Sequence, residues 1–116
     1  LDNAAYVGRD PAVIDQVREV LPAGWAATLR ARDGSVTADV HAQLRKLPAD
    51  ATHLILSAGG NDALGAAWLL GKPARSAADV FAELAGVRDR FAADYRELLD
   101  AVADLGKPTA VCTVYD

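Results

Sequence analysis

The sequence predicts an α/β fold built on a parallel sheet. Two near-continuous apolar runs, residues 52–58 (THLILSA) and residues 109–115 (TAVCTVY), have the composition of strands that are covered on both faces. Amphipathic helical patterns lie before and between these runs. Strands that alternate with helices are typical of parallel α/β sheets. With 116 residues, the chain forms one domain, residues 1–116, or part of one.

The first half of the chain contains two predicted helices and one further predicted strand. The first helix opens at Asp10-Pro11, because proline is favoured at an early helical position. Its apolar face is formed by Val13, Ile14, Val17, Val20 and Leu21. Residues 25–32 (WAATLRAR) have a mixed pattern and predict a strand, and residues 36–47 predict a short helix.

A long helix is predicted to begin near Ser76. Asp79 follows this serine by three residues, which is a weaker form of the capping box. Gly106 and Pro108 end the helix. We expect its apolar stripe to pack against the sheet; the stripe consists of Leu84, Val87, Phe91, Tyr95, Leu98, Val102 and Leu105.

Composition excludes several classes of function. The net charge is −4 and the basic residues are scattered, which disfavours nucleic acid as a partner. One cysteine and two histidines are too few for a structural zinc site, and we expect Cys112 to be a buried apolar residue. No stretch is apolar enough to predict a membrane span, and the first residues do not resemble a signal peptide. Cellular compartment and oligomeric state stay open.

The most informative stretch is Gly-Gly-Asn-Asp at residues 59–62, directly after the predicted strand 52–58. Ligand sites of parallel α/β sheets lie beyond the carboxyl ends of the strands. There the Asn61 amide can donate a hydrogen bond to a developing negative oxygen, and Gly59 and Gly60 allow a sharp turn. Asp62 would cap the next segment or orient the loop. The alternative interpretation is an ordinary turn, since glycine, asparagine and aspartate are common turn residues.

A second glycine lies at the end of another predicted strand. Gly34 follows residues 25–32 within the segment RARDGSVTADV. Its backbone N–H would point into the same crevice as the Asn61 amide, and two donors that converge from separate loops form an oxyanion hole. A plain strand-to-helix turn is again the alternative.

Together these segments resemble the SGNH (GDSL-type) esterases and lipases, a family defined by four dispersed blocks that contain Ser, Gly, Asn and His. GGND matches the third block, and DGSVTADV matches the surroundings of the second-block glycine, Gly34. LDNAAYVG, with Asp2 and Asn3, resembles the segment directly after the nucleophile block in one branch of the family. The resemblance extends over essentially the whole chain and implies a flavodoxin-like, three-layer α/β/α fold.

The resemblance implies a serine hydrolase that cleaves small carboxylic esters through an acyl-serine intermediate, without a cofactor or metal. Asn61 and the Gly34 N–H would stabilise the oxyanion, supported by Gly59, Gly60, Asp62, Asp2 and Asn3. The family's nucleophilic serine would stand two residues before Leu1, and its late Asp-x-x-His block is absent from the 116 residues. The expectation is therefore a fragment that supplies the oxyanion half of the site, is inactive and poorly stable alone, and lacks the strand that leads to the serine.

Other candidate catalytic residues fit less well. Asp50 and His53 have Asp-x-x-His spacing, but His53 precedes the strand and is expected at its amino end. His41 is expected on a helix, Ser57 is expected to be a buried strand residue, and Ser35 is a possible helix cap.

The sequence leaves a function of another class open. In this alternative, the same glycine-rich strand ends would bind a small anion or sugar in a non-catalytic module. A phosphate-binding nucleotide domain is disfavoured, because neither a Walker-type nor a dinucleotide-binding glycine motif is present. Residues 66–76, with Trp68, Leu69 and Leu70, either line an acyl pocket or pack in the core.

Overall fold

The computed structural model describes residues 2–113 as an α/β chain with a two-stranded parallel sheet. Within those residues the helices are α1 (Val13–Val20), α2 (Thr37–Leu44), α3 (Gly60–Gly65) and α4 (Ala77–Ala103), with a 3₁₀ helix at Ala67–Gly71. The strands are β1 (Leu54–Leu56) and β2 (Thr109–Val111). The predicted α/β class and the parallel sheet are confirmed, whereas the three-layer SGNH fold stays a prediction.

The long helix α4 forms as its pattern predicts. Ser76 is the N-cap residue, and its hydroxyl oxygen accepts a hydrogen bond from the Asp79 N–H at 3.2 Å. The helix ends at Ala103, and Gly106 follows with φ +62°, a left-handed conformation that glycine adopts without strain. The sequence therefore predicted this element to within a few residues at each end.

The two strands lie side by side with α3 and α4 between them along the chain. Leu54 faces Thr109, and Leu56 faces Val111, in parallel register. Residues 114 and 115 of the strand predicted at 109–115 lie outside the described residues.

The core is small and lies between the sheet, α2 and the second half of α4. Its buried members are Val40 from α2, Leu56 from β1, and Leu98 and Val102 from α4. Leu98 is the most completely enclosed, with no exposed surface. Burial of these side chains packs the second half of α4 against α2 and β1.

The prediction that both faces of the strands are covered is wrong. Val111 is 46% exposed although it is aligned with the buried Leu56, so the helices cover that face only partly at β2. Ile55 is 66% exposed, because the helices leave the other face of the sheet uncovered. Cys112, predicted to be buried, is exposed for the same reason. An apolar run thus formed a strand without being enclosed on both sides.

Residues 25–32 form no strand in the described part of the chain. They run without regular pairing, and Trp25 contacts His53 with the ring centroids 4.8 Å apart. A strand is stabilised mainly by its cross-strand pairs, and none is available to this segment among residues 2–113. The prediction of a strand at residues 25–32 is therefore wrong.

Only the second half of the α4 stripe is buried as predicted. Leu98 and Val102 belong to the core, but Leu84 is 42% exposed, and Phe81 one turn earlier is 70% exposed. The first half of α4 projects beyond the sheet, which contributes to a molecule of 59 × 37 × 21 Å. The apolar stripe runs along the whole helix, whereas the core that it packs against extends only along the second half.

Candidate functional site

Asn61 lies in the first turn of α3, directly after β1, and its side chain contacts the loop that contains Gly34. The Asn61 Nδ2 donates a hydrogen bond to the Ser35 carbonyl at 2.9 Å, across 26 residues of sequence. An asparagine amide has two N–H groups, so this bond uses one and fixes the direction of the other. The structure therefore brings Ser35, the residue after Gly34, into contact with Asn61, and the convergence of the Gly34 N–H and the Asn61 amide on one oxygen stays a prediction.

Asp62 joins the same two segments more firmly. Its Oδ2 accepts the Thr37 N–H at 3.0 Å and the Thr37 hydroxyl at 3.0 Å, and its Oδ1 lies 3.2 Å from the same nitrogen. Thr37 is the first residue of α2 and is 1% exposed. A carboxylate at a helix N-terminus pairs with an otherwise unsatisfied N–H and with the positive end of the helix dipole. Asp62 thus caps a helix that precedes it in the chain.

The glycines around these contacts have different conformations. Gly34 has φ +76° and Gly59 has φ +111°, which other residues adopt only with strain, whereas Gly60 has no positive φ. Gly59 is the N-cap residue of α3, so the turn at Gly59 sets where Asn61 and Asp62 lie at the start of α3. Among the described residues the Gly34 N–H has no acceptor, and Gly34 is exposed.

Asp2 and Asn3 form no hydrogen bond with Asn61 or Gly34 among residues 2–113. The Asn3 Oδ1 accepts the Val13 N–H at 3.0 Å and thereby caps α1, and the Asp2 carboxylate lies 3.5 Å from the Ala4 N–H. The same N-terminal segment contacts the Gly34 loop through Tyr6. The Tyr6 hydroxyl donates to the Asp33 carboxylate at 2.8 Å.

The Tyr6–Asp33 hydrogen bond has an electrostatic consequence. It raises the pKa of the Tyr6 hydroxyl, first because the bond stabilises the protonated phenol and second because the neighbouring carboxylate repels a phenolate. The same bond connects the segment of Tyr6 to Asp33, the residue directly before Gly34.

An open cavity of about 340 Å³ adjoins this loop. Gly34 and Ser35 form part of its wall, and residues of α2 form the opposite side. Basic side chains project toward it from two elements: Arg30, Arg32 and Lys46. One candidate donor residue, Gly34, therefore shares this cavity with the basic side chains, whereas Asn61 does not line it.

The histidines and Ser57 form no hydrogen bond with one another or with Asn61 in the described part of the chain. His53 directly precedes β1 at its amino end, as predicted, and is exposed, with Nδ1 3.1 Å from the Thr52 hydroxyl. His41 lies on α2. Ser57 is exposed and not buried as predicted, since the face of β1 to which it belongs is uncovered. The Ser35 hydroxyl accepts from Gln43 Nε2 at 3.1 Å and from no N–H of α2, whose N-cap residue is Val36.

Sequence reasoning missed three contributors to this arrangement: Thr37, the Ser35 carbonyl and the Tyr6–Asp33 pair. A backbone carbonyl leaves no signal in a sequence. Thr37 stands at a predicted helix start, where threonine is a common cap, but its partner is 25 residues away and no local pattern connects them.

No protein-family model, curated protein or solved structure matches the chain. Among residues 2–113, no group of three or more histidine, cysteine and acidic side chains is arranged to hold a metal ion. In the same stretch, no helix combines the length and apolarity of a membrane span.

Proposed function

We propose that this chain supplies the oxyanion-stabilising half of an ester hydrolase of the SGNH type. The supporting observation is the 2.9 Å hydrogen bond from Asn61 Nδ2 to the Ser35 carbonyl, which joins the Gly-Gly-Asn-Asp turn to the Gly34 loop. The second N–H of the amide and the Gly34 N–H are the two donors. The nucleophilic serine and its histidine base come from outside these 116 residues in this proposal.

In the proposed reaction, the serine oxygen attacks the ester carbonyl while the histidine accepts the serine proton. The carbonyl oxygen becomes negative in the tetrahedral intermediate, and the Asn61 and Gly34 N–H groups stabilise it. The histidine then protonates the leaving alcohol, and water releases the acid from the acyl-serine by the same steps. Asp62 has a positioning role, because its bonds to Thr37 hold α3 against α2.

The test uses the gene product that contains this segment, completed at both ends. We expect it to hydrolyse a short-chain p-nitrophenyl ester, while the 116-residue chain alone does not. Asn61→Ala in the complete protein should lower kcat about 100-fold or more, with KM changed much less, because the lost donor acts in the transition state.

Gln16→Ala is the matched control, since Gln16 is an exposed amide on α1 that bonds to the Pro11 carbonyl. It should leave kcat within a few-fold. An Asn61→Ala enzyme with an unchanged kcat would contradict the oxyanion role.

The second candidate function is a non-catalytic ligand-binding module. It is favoured by the fact that Asn61 and Asp62 both bond to protein groups, which is also how a purely structural turn is held. A residue other than serine two positions before Leu1, together with no esterase activity in the complete protein, would favour this alternative.

A further inference from the structure

We propose that the cavity beside the Gly34 loop is a binding site for a small phosphorylated molecule. This basic cavity is the hollow of about 340 Å³ lined by Arg30, Arg32, Gly34, Asp39, Gln43 and Lys46. The proposal concerns equilibrium binding and does not depend on ester hydrolysis.

The basic side chains reach the basic cavity from two parts of the chain. Arg30 and Arg32 belong to the irregular segment before Gly34, and both line the cavity. On α2 and just after it, Asp39, Gln43 and Lys46 are spaced four and three residues apart, which places them along one helix face. Polar side chains from the segment before Gly34 and from the α2 region thus line the same basic cavity.

The acidic and basic side chains of the basic cavity differ in the hydrogen bonds that they form. The Asp39 carboxylate accepts the Val36 N–H at 3.0 Å, and the Asp33 carboxylate, also in the wall, accepts the Tyr6 hydroxyl at 2.8 Å. By contrast, Arg30, Arg32 and Lys46 form no ion pair or side-chain hydrogen bond among residues 2–113. The two carboxylates keep their negative charge, since their donors are neutral, so three cationic and two anionic side chains leave the basic cavity with a small net positive charge in a chain of net charge −4.

A phosphate group fits this set of donors. Arginine guanidinium groups bind phosphate oxygens through paired N–H donors, and a lysine ammonium adds a compact charge. The exposed Gly34 N–H offers a further donor at the same wall. The volume suits a phosphate with a small organic substituent, since small-molecule sites begin at about 300 Å³.

Titration calorimetry of the complete gene product that contains this chain, with phenyl phosphate as the probe, tests the proposal. Phenol is the uncharged counterpart and phenylacetate is the carboxylate counterpart. We expect phenyl phosphate to bind with saturation, phenol not to bind, phenylacetate to bind more weakly, and added salt to weaken the binding.

The double variant Arg30→Gln/Arg32→Gln should weaken phenyl phosphate binding at least about 10-fold, since each lost charged hydrogen bond contributes strongly. The matched control, Arg90→Gln/Arg96→Gln on α4, removes the same net charge elsewhere and should change the Kd less than about 2-fold. Circular dichroism of both variants shows that the helices are retained.

Three results would overturn the proposal. The first is that phenyl phosphate shows no saturable binding, and the second is that phenol binds equally well. The third is that both double variants weaken binding equally, which would show a diffuse effect of net charge. Phenyl phosphate binding without esterase activity in the complete protein would leave this proposal standing and reject the proposed hydrolase.

Discussion

At the scale of single residues, two loops that are distant in sequence are joined by side-chain hydrogen bonds. Asn61 reaches the Ser35 carbonyl, Asp62 reaches Thr37, and Tyr6 reaches Asp33, all within 3.0 Å. These bonds surround Gly34, whose φ of +76° makes the loop possible. The identity of Asn61 and Gly34 as candidates was predictable from their motifs, but their bonding partners were not.

The Tyr6–Asp33 bond predicts a pH response. Because the folded state raises the pKa of Tyr6, the stabilisation is fully present below the ordinary tyrosine pKa and is lost as pH rises through the raised value. We expect the Tyr6 titration, obtained from ultraviolet absorbance of the chain minus that of Tyr6→Phe, to lie above that of an ordinary tyrosine. Asp33→Asn should move it back down. An unchanged titration in Asp33→Asn would show that Asp33 does not cause the shift.

At the scale of elements, α2 and α3 hold each other in place. The N-terminus of α2 has no cap from its own N-cap side chain, and the Asp62 carboxylate from α3 pairs with its first N–H. The α3 helix is a single short piece of six residues, and a helix this short depends on such tertiary contacts. The orientation of Asn61 therefore depends on an interaction between elements and not on α3 itself.

This dependence predicts local opening when the contact is removed. Asp62→Ala should accelerate hydrogen exchange of the first-turn amides of α2 about 10-fold or more, because it leaves the Thr37 N–H without its acceptor. Thr37→Val removes only the hydroxyl bond and should have a smaller effect. Asp94→Ala, at an exposed position on α4, is the control and should leave these amides unchanged. Exchange that is equally fast in all three variants would contradict the capping role of Asp62.

At the scale of the whole molecule, the core is small for the length of the chain. Five hydrophobic residues are buried among those described, and Trp25, Trp68, Leu70 and Phe81 are each more than half exposed. The radius of gyration is 17.1 Å, well above the ~13 Å of a compact domain of about 100 residues. Of the 116 residues 25 are alanine, so the hydrophobic fraction of 52% contributes less burial than it suggests.

This shape predicts that the 116-residue chain is weakly stable alone. We expect a broad thermal transition by circular dichroism and concentration-dependent association by sedimentation, because exposed apolar side chains and the unpaired segment 25–32 favour contact between chains. A sharp, reversible transition of the 116-residue chain as a monomer would contradict the expectation.

The sequence by itself determined the α/β class, the parallel pairing of the two apolar runs, and helix α4 with its Ser76 cap. These features follow from local periodicity and from capping chemistry, which act within a few residues. It also singled out the Gly-Gly-Asn-Asp turn and Gly34 from the residue types that sharp turns and donors require.

Only the tertiary structure decided what those elements contact. It left residues 25–32 without a strand partner, left Ile55 and Cys112 exposed, and brought Asn61 to Ser35 and Asp62 to Thr37. Pairing, burial and long-range hydrogen bonds depend on which surfaces meet in space. A pattern of single residues specifies that an apolar face or a donor exists, and the packing of the whole chain specifies what covers it.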